Sequence, residues 1–333
     1  MVIRQAIARI AIFAVMSRPK YSVIVPVFNR PQEVAELLES LTQQTYKNFE
    51  VILVEDGSSI KSEKVFEQYA GKLTMQYFFK PNTGPGPSRN AGFERARGDF
   101  FVVFDSDCII PPHYFEAVEK FLASDSVDAW GGPDKGMKDF TPLQQAMAFT
   151  MSSVLTTGGI RGKSEKGFQP RSFNMGISRA VFEKTKGFQF DRFAEDIELS
   201  VRIRKLGFKS ALIPDAFVYH KRRTSLSQFY KQVSNFGKGR VLVGKAHPGE
   251  VKPTHWFPFF FLLGIIAMPV VFLFNSTLAF ILLLGYLVYT DLVLIDCIRT
   301  TGSWRVSFLS IPSLYVQMIG YGSGFIKALL LNK

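Results

Sequence analysis

The sequence predicts an α/β chain: a mostly parallel, Rossmann-like sheet flanked by helices, followed by C-terminal helices that cross a membrane or lie at its interface. Three observations carry this prediction. From Tyr21 onward, short apolar runs alternate with helical patterns, as in a parallel sheet covered on both faces. The 333 residues suffice for one catalytic domain and something more. The hydrophobic share is 47% and the mean hydropathy +0.10, an excess that collects after Trp256.

Residues 1–20 carry Arg4 and Arg9 and a short apolar run, Ile10 to Met16. Three readings stay open: a weak signal peptide lacking an A-x-A cleavage site, a basic amphipathic surface helix, or an extended reading frame whose start is Met16. The catalytic domain is expected over 21–250. Tyr21–Val27 reads as a buried strand, and Pro31 sits near the start of a helix running to about Leu41. Phe49–Val54 is the next strand, followed by a helix over Lys61–Tyr69 and a strand near Leu73–Phe79. A Gly- and Pro-rich loop, Pro81–Pro87, leads into a helix from Ser88 to Ala96 and a strand Phe100–Phe104. Ligands of such sheets bind beyond the carboxyl ends of the strands. Asp56, Asp105 and Asp107 all fall there.

The membrane segment is expected over 256–333. Trp256–Phe274 holds no charged residue, and about 20 apolar residues span a bilayer. Thr277–Ile295 is a second span, interrupted by Asp291, and Asn275-Ser276 makes the pair a tight hairpin. Val306–Phe325, broken by Pro312, Gly320, Gly322 and Gly324, either spans or lies in the interface. The net charge of +12 first suggests nucleic acid, but no helix-turn-helix, zinc-finger or RNP signature accompanies it. Its basic residues recur beside the membrane segment instead (Lys221, Arg222, Arg223, Lys231, Lys238, Arg240, Lys245, Lys252). That suits an anionic cytoplasmic leaflet, and Arg299 and Arg305 place the same side in the cytoplasm. The expected location is therefore the inner cell membrane, with the catalytic domain on its cytoplasmic face and no nucleic-acid partner. Cys108 and Cys297 form no framework and no CxxC pair, as expected of a reducing compartment.

The chemistry concentrates in Phe104-Asp105-Ser106-Asp107. In an extended chain, side chains at i and i+2 share a face, so both carboxylates can meet one hard cation such as Mg²⁺ or Mn²⁺. The alternative on this motif alone is an Asx-turn capping a helix over Pro111–Phe121. Other motifs precede it in order: Val25-Pro26-Val27-Phe28-Asn29, Val54-Glu55-Asp56-Gly57-Ser58 and Ser88-Arg89-Asn90-Ala91-Gly92. Glu195-Asp196 follows, opening a helix with Leu199, Ile203 and Leu206 at i, i+4, i+7.

With these motifs the chain resembles the family 2 glycosyltransferases of the GT-A fold, from about Tyr21 to Arg240. The resemblance implies a nucleotide-sugar donor (UDP-, GDP- or dTDP-linked) and Mg²⁺ or Mn²⁺ as cofactor. Pro26, Val27 and Asn29 would line the base pocket, Asp56 would bind the nucleobase edge, and Arg89 would lie near base and phosphates with Asn90 fixing its loop. Asp105 would face ribose and metal, Asp107 would be the direct metal ligand, and His220 would complete the metal site. Asp196 would be the base of an inverting transfer, Glu195 its neighbour on the acceptor side. Trp130-Gly131-Gly132-Pro133 and Asn174-Met175-Gly176 would be acceptor-side segments. The QxxRW motif of processive synthases is missing: Gln232-Val233-Ser234-Asn235-Phe236 lacks its Arg and Trp, and Arg240 is the candidate to serve the diphosphate instead. The expected product is one sugar, or very few, added to a lipid-linked or glycan acceptor in surface polysaccharide synthesis. The rivals are a sugar-phosphate nucleotidyltransferase and a catalytically dead membrane scaffold.

Overall fold

The computed structural model of the chain describes residues 18–136, 140–158, 168–221 and 223–331. The expectations for Arg4, Arg9, Ile10–Met16 and Arg222 lie outside them. Chain order opens with β1 (Tyr21–Val27), α1 (Pro31–Thr42), β2 (Phe49–Asp56), α2 (Glu63–Tyr69), β3 (Met75–Lys80), α3 (Pro85–Arg95) and β4 (Phe100–Phe104). It continues through β5 (Cys108–Ile109), α4 (Tyr114–Ser124), β6 (Ala129–Gly131), β7 (Asp134–Lys135), α5 (Pro142–Ser152), α6 (Val154–Thr157), β8 (Asn174–Ser178) and α7 (Arg179–Thr185). Then come α8 (Glu195–Lys205), β9 (Ser210–Leu212), β10 (Val218–His220), α9 (Leu226–Ala246), α10 (Phe257–Phe274), α11 (Ser276–Thr301) and α12 (Trp304–Leu330). The chain divides into two units: one of residues up to Pro133 with Pro170–Gln189 and Ile203–Val218, the other of Asp134–Gln169, Phe190–Arg202 and Tyr219–Lys333.

In the first unit, seven strands form one sheet in the order β3-β2-β1-β4-β8-β6-β9. β1 runs parallel to β2 and β4, and β2 parallel to β3; β8 is antiparallel to both its neighbours, and β6 and β9 pair parallel. Alternation along the strands explains the continuous apolar runs. Val23, Val25, Val51, Leu53, Val102 and Phe104 share a core with Val34, Leu37, Leu38 and Leu41 of α1 and Tyr114, Phe115 and Val118 of α4. The opposite face carries Phe101, whose ring stacks 5.3 Å from Phe93 of α3, which in turn stacks 5.8 Å from Phe188. Both faces of the sheet are covered, so neither can be polar. The register pairs Val27 with Glu55 and Asp56 with Lys80, bringing the carboxyl ends of β1, β2 and β3 to one edge.

In the second unit, α9 and α12 pack along their lengths. A Cβ at Gly237 would stand 2.1 Å from the Tyr321 carbonyl oxygen, and one at Gly324 would stand 1.9 Å from that of Ser234. The segment expected to be broken by Pro312 and three glycines is instead one continuous helix, α12. Its glycines serve close approach of neighbouring backbone rather than interruption. Leu206 also departs from expectation: α8 ends at Lys205, and Leu206 is exposed while Leu199 and Ile203 are fully buried.

Candidate functional site

The loops at the carboxyl edge of the first unit hold one another in place. Asn29 takes a positive φ of 55°, a conformation its short polar side chain tolerates. Its Oδ1 accepts from the Ile60 N–H at 2.9 Å and the Ser59 hydroxyl at 3.0 Å, and its own N–H donates to Ser58 Oγ at 2.7 Å. The β1 loop is thereby tied to the β2 loop. Asp56, buried, accepts from the Thr83 and Gly84 N–H groups at 2.9 Å each and from the Lys80 ammonium. Burial opposes its ionisation, but the lysine and the two backbone donors outweigh that cost and hold its carboxyl below the usual range. Asp56 thus shapes the Pro-Gly loop ahead of α3, and Pro85 starts that helix three residues before the expected Ser88.

Two arginines meet the two carboxylates after β4. Arg89 of α3 donates from Nη2 to Asp105 Oδ1 at 2.8 Å, and its side chain is 4% exposed against 31% for Asp105. The guanidinium lies 5.3 Å from the Phe188 ring centre. Asn90 fixes this arrangement by a two-point clamp on Phe188, accepting from its N–H and donating to its carbonyl at 2.8 Å each. Arg30 donates from Nη1 to Asp107 Oδ2 at 2.5 Å, with Asp107 8% and Arg30 36% exposed. Arg30 was not among the sequence candidates. Its partner lies 77 residues away, and no local pattern announces such a pair. Two carboxylates two residues apart, fixed at a strand end, offer the hard oxygen donors that Mg²⁺ and Mn²⁺ prefer, so the residues present fit such an ion.

Other candidates of this unit sit where packing dictates. Val27 is buried at the end of β1 and Pro26 beside it is half-buried. Cys108 is buried in the sheet core, outside any disulfide, with its Sγ 3.6 Å from the Phe173 carbonyl oxygen. Asn174 is fully buried, accepting from the Tyr114 hydroxyl at 2.7 Å and donating to the Ala216 carbonyl at 2.8 Å. A Cβ at Gly176 would lie 2.0 Å from the Trp130 indole, so this glycine makes room for Trp130. These segments brace the sheet interior.

In the second unit, Glu195 and Asp196 begin α8 immediately after Ala194, whose φ is 55°. An alanine held in the left-handed region stores strain, and here it aims the first turn that carries both acids. A Cβ at Gly239 of α9 would come within 2.7 Å of Ala194 Cβ. The buried Glu198 accepts from Arg202 Nε at 2.6 Å and Nη2 at 2.7 Å, and its Oε1 lies 3.1 Å from His247 Nε2. The helix is therefore anchored two residues beyond Asp196, by partners that sequence reading did not find. Arg240 is buried on α9, and His220 ends β10.

Residues 22–186 match the family model for glycosyl transferase family 2. A putative glycosyltransferase EpsH of Bacillus subtilis is 39% identical over 115 residues, 34% of this chain and 33% of that protein. An uncharacterized glycosyltransferase of Rickettsia bellii is 36% identical over 103 residues, 31% of this chain and 15% of that protein. The matches thus cover a third or less of these relatives. Among solved structures, the mannosyltransferase PcManGT of Pyrobaculum calidifontis, in complex with GDP-Man and Mn²⁺, superposes with a TM-score of 0.61 at 16% identity, over 96% of this chain and 89% of that one. The mostly parallel sheet with its flanking helices is the GT-A fold, and residues 22–186 form a glycosyl transferase family 2 domain.

Proposed function

We propose that the chain transfers a sugar, with inversion and with Mg²⁺ or Mn²⁺, from a nucleotide-sugar to a lipid-linked or glycan acceptor at a membrane surface. The observation that carries this reading is the convergence of Asp56, Arg89, Asp105 and Asp107 on one sheet edge from three separate segments: the end of β2, helix α3 and the loop after β4. Asp105 and Asp107 would hold the cation, which supplies charge neutralisation for the departing diphosphate. Arg89, buried and stacked on Phe188, presents a fixed positive charge beside them. Asn29 and Asp56 shape the loops where the base would lie, with Pro26 and Val27 beneath. Asp196 is the assigned base: its carboxylate takes the proton from the acceptor hydroxyl as that oxygen attacks the anomeric carbon, with Glu195 on the acceptor side. His220 keeps the metal role that the family resemblance implies, and Arg240 is the candidate to serve the diphosphate in place of the missing QxxRW motif.

The membrane assignment rests on α10 and α11. Two stretches, Pro253–Phe274 and Ser276–Thr301, are long and apolar enough to cross a bilayer, and only 17% and 11% of them are buried. Core helices of a water-soluble protein would be mostly covered. Large apolar side chains left facing outward need an apolar surrounding. A membrane-borne enzyme with its basic residues near these helices suits a lipid-linked acceptor on the cytoplasmic side.

The test is a screen of UDP-, GDP- and dTDP-sugars for thermal stabilisation of the full chain, with and without Mn²⁺, since a ligand that binds the folded state raises its apparent stability. A cation-dependent rise with one donor is expected, and its loss in Asp105→Ala/Asp107→Ala. Asp196→Asn should keep that donor response while transfer falls by about 10²-fold or more. Stabilisation that ignores Mn²⁺ would remove the metal role, and wild-type turnover in Asp196→Asn would remove the base.

A further inference from the structure

Arg30 and Arg89 hold equivalent carboxylates in different ways. Arg89 is almost wholly buried over the ring of Phe188, whose backbone Asn90 holds at both N–H and carbonyl. Arg30 is over a third exposed and makes no capping bond to α1, whose amino terminus it precedes. Its backbone is nonetheless well placed. Asn29 before it is pinned to the β2 loop, and Pro31 after it fixes the first helical residue. A rooted stem with a solvent-facing head is the form of a side chain that can swing.

The charges require a swing. Two aspartates and two arginines sum to zero as the site stands. A divalent cation on Asp107 would face the Arg30 guanidinium across a carboxylate already bonded at 2.5 Å. Two cations on one buried carboxylate repel strongly where the dielectric is low. The nucleotide-sugar brings a diphosphate of two negative charges, which restores neutrality and offers a new acceptor for the guanidinium.

We propose that Arg30 is an exchangeable counter-ion of Asp107: it occupies the carboxylate until a divalent cation arrives, then transfers its hydrogen bonds to the donor's diphosphate oxygens. This rests on the reading of Asp105 and Asp107 as metal ligands. Arg30 is thus both a competitor of the bare metal and a ligand of the metal–donor pair, so cation and nucleotide bind cooperatively. Planar guanidinium suits both roles, since it bonds carboxylate and phosphate oxygens with the same fork. A purely structural bridge has a different signature, because it would orient Asp107 and its removal would weaken the metal.

The experiment uses the full chain in detergent. Mn²⁺ alone is titrated and the free ion counted by electron paramagnetic resonance, then UDP and GDP are titrated calorimetrically at saturating Mn²⁺. Arg30→Ala should bind Mn²⁺ alone about tenfold tighter, and its preferred nucleoside diphosphate about tenfold more weakly, the size of one charge-assisted hydrogen bond. Arg30→Lys, which keeps the charge but not the fork, should fall between, and it serves if the alanine variant melts abnormally. Unchanged or weaker Mn²⁺ binding in both variants, or undiminished nucleotide affinity, overturns the exchange. Asp105→Ala/Asp107→Ala run alongside separates the two levels. If wild type holds no Mn²⁺ even with UDP or GDP present, the metal reading fails and takes this proposal with it. If wild type holds Mn²⁺ and the double variant does not, the Arg30 result judges the exchange alone.

Discussion

Glu50 has no exposed surface, yet it lies at the amino-terminal edge of the sheet, away from the loops that carry the candidate chemistry. Its Oε1 accepts from Ser22 Oγ at 2.7 Å and the Arg97 N–H at 2.8 Å, and its Oε2 from Arg97 Nε at 2.9 Å. Burial opposes the charge, but the Arg97 N–H, Ser22 and the guanidinium prevail and hold its carboxyl below the ordinary glutamate range. Arg97 is 59% exposed, so its charge contributes little after solvent screening. The buried donors matter more. Glu50→Ala would leave them unpaired and should cost about 1–3 kcal/mol, read as a lower melting temperature at neutral pH. A carboxyl with a depressed folded-state pKa stabilises above its unfolded pKa and loses that contribution as pH falls through the folded value. Melting of wild type should therefore fall toward acid more steeply than that of Glu50→Gln. At this scale the sequence revealed what local spacing encodes. Asp105 and Asp107 share a face because they are two residues apart. The partners that neutralise them, Arg30 and Arg89, come from distant segments, and only the folded sheet edge names the pairs.

Elements were legible wherever periodicity was strong. β1, β2 and β4 lie where apolar runs placed them, because a strand covered on both faces has no polar alternation to mislead. The reading failed on glycines. In α12 they look like breaks, but whether a glycine interrupts a helix or admits a neighbour depends on what stands beside it. Gly239 extends the same lesson to the chemistry. Gly239→Ala would press on Ala194, the strained residue from which α8 departs, and tilt the turn bearing Glu195 and Asp196. We expect transfer to drop about tenfold or more, since small displacements of a catalytic group are costly, while Mn²⁺-dependent nucleotide binding stays near wild type. Equal losses in both assays would mean a general fault in folding. Gly324→Ala should instead act on stability, lowering it by about 1–3 kcal/mol as overpacking does. Gly285, with nothing within 4 Å of its would-be Cβ, should accept alanine without loss in the same melting assay.

For the whole molecule, the property that decides the proposed membrane reading is how α10 and α11 would meet a bilayer. At 1.5 Å per residue they reach about 27 and 39 Å, against a hydrocarbon core of about 30 Å. Leu273 and Phe274 at the turn are 81% and 86% exposed, so the tip is apolar and unsupported by protein. Its polar groups are partly internal: Asn275 Oδ1 accepts from the Leu278 N–H at 3.0 Å. On the proposed membrane reading, Lys252 before the first helix, Arg299 in the last turn of the second and Arg305 after it would put both ends on the cytoplasmic side and the tip across the membrane. Asp291 strains this arrangement. It is exposed on α11, and the charge-free stretch before it, Ser276 to Thr290, covers only about 22 Å. A full crossing would therefore demand a locally thinned bilayer, whereas a hairpin that enters and returns would leave its tip inside. Ser276→Cys decides between them in intact cells, because native Cys108 and Cys297 are buried and give little background. We expect a membrane-impermeant maleimide added outside to label Cys at 276, and a companion Thr301→Cys to react only after the cells are opened. If both label only after opening, the hairpin does not cross, and the enzyme holds its membrane from one face.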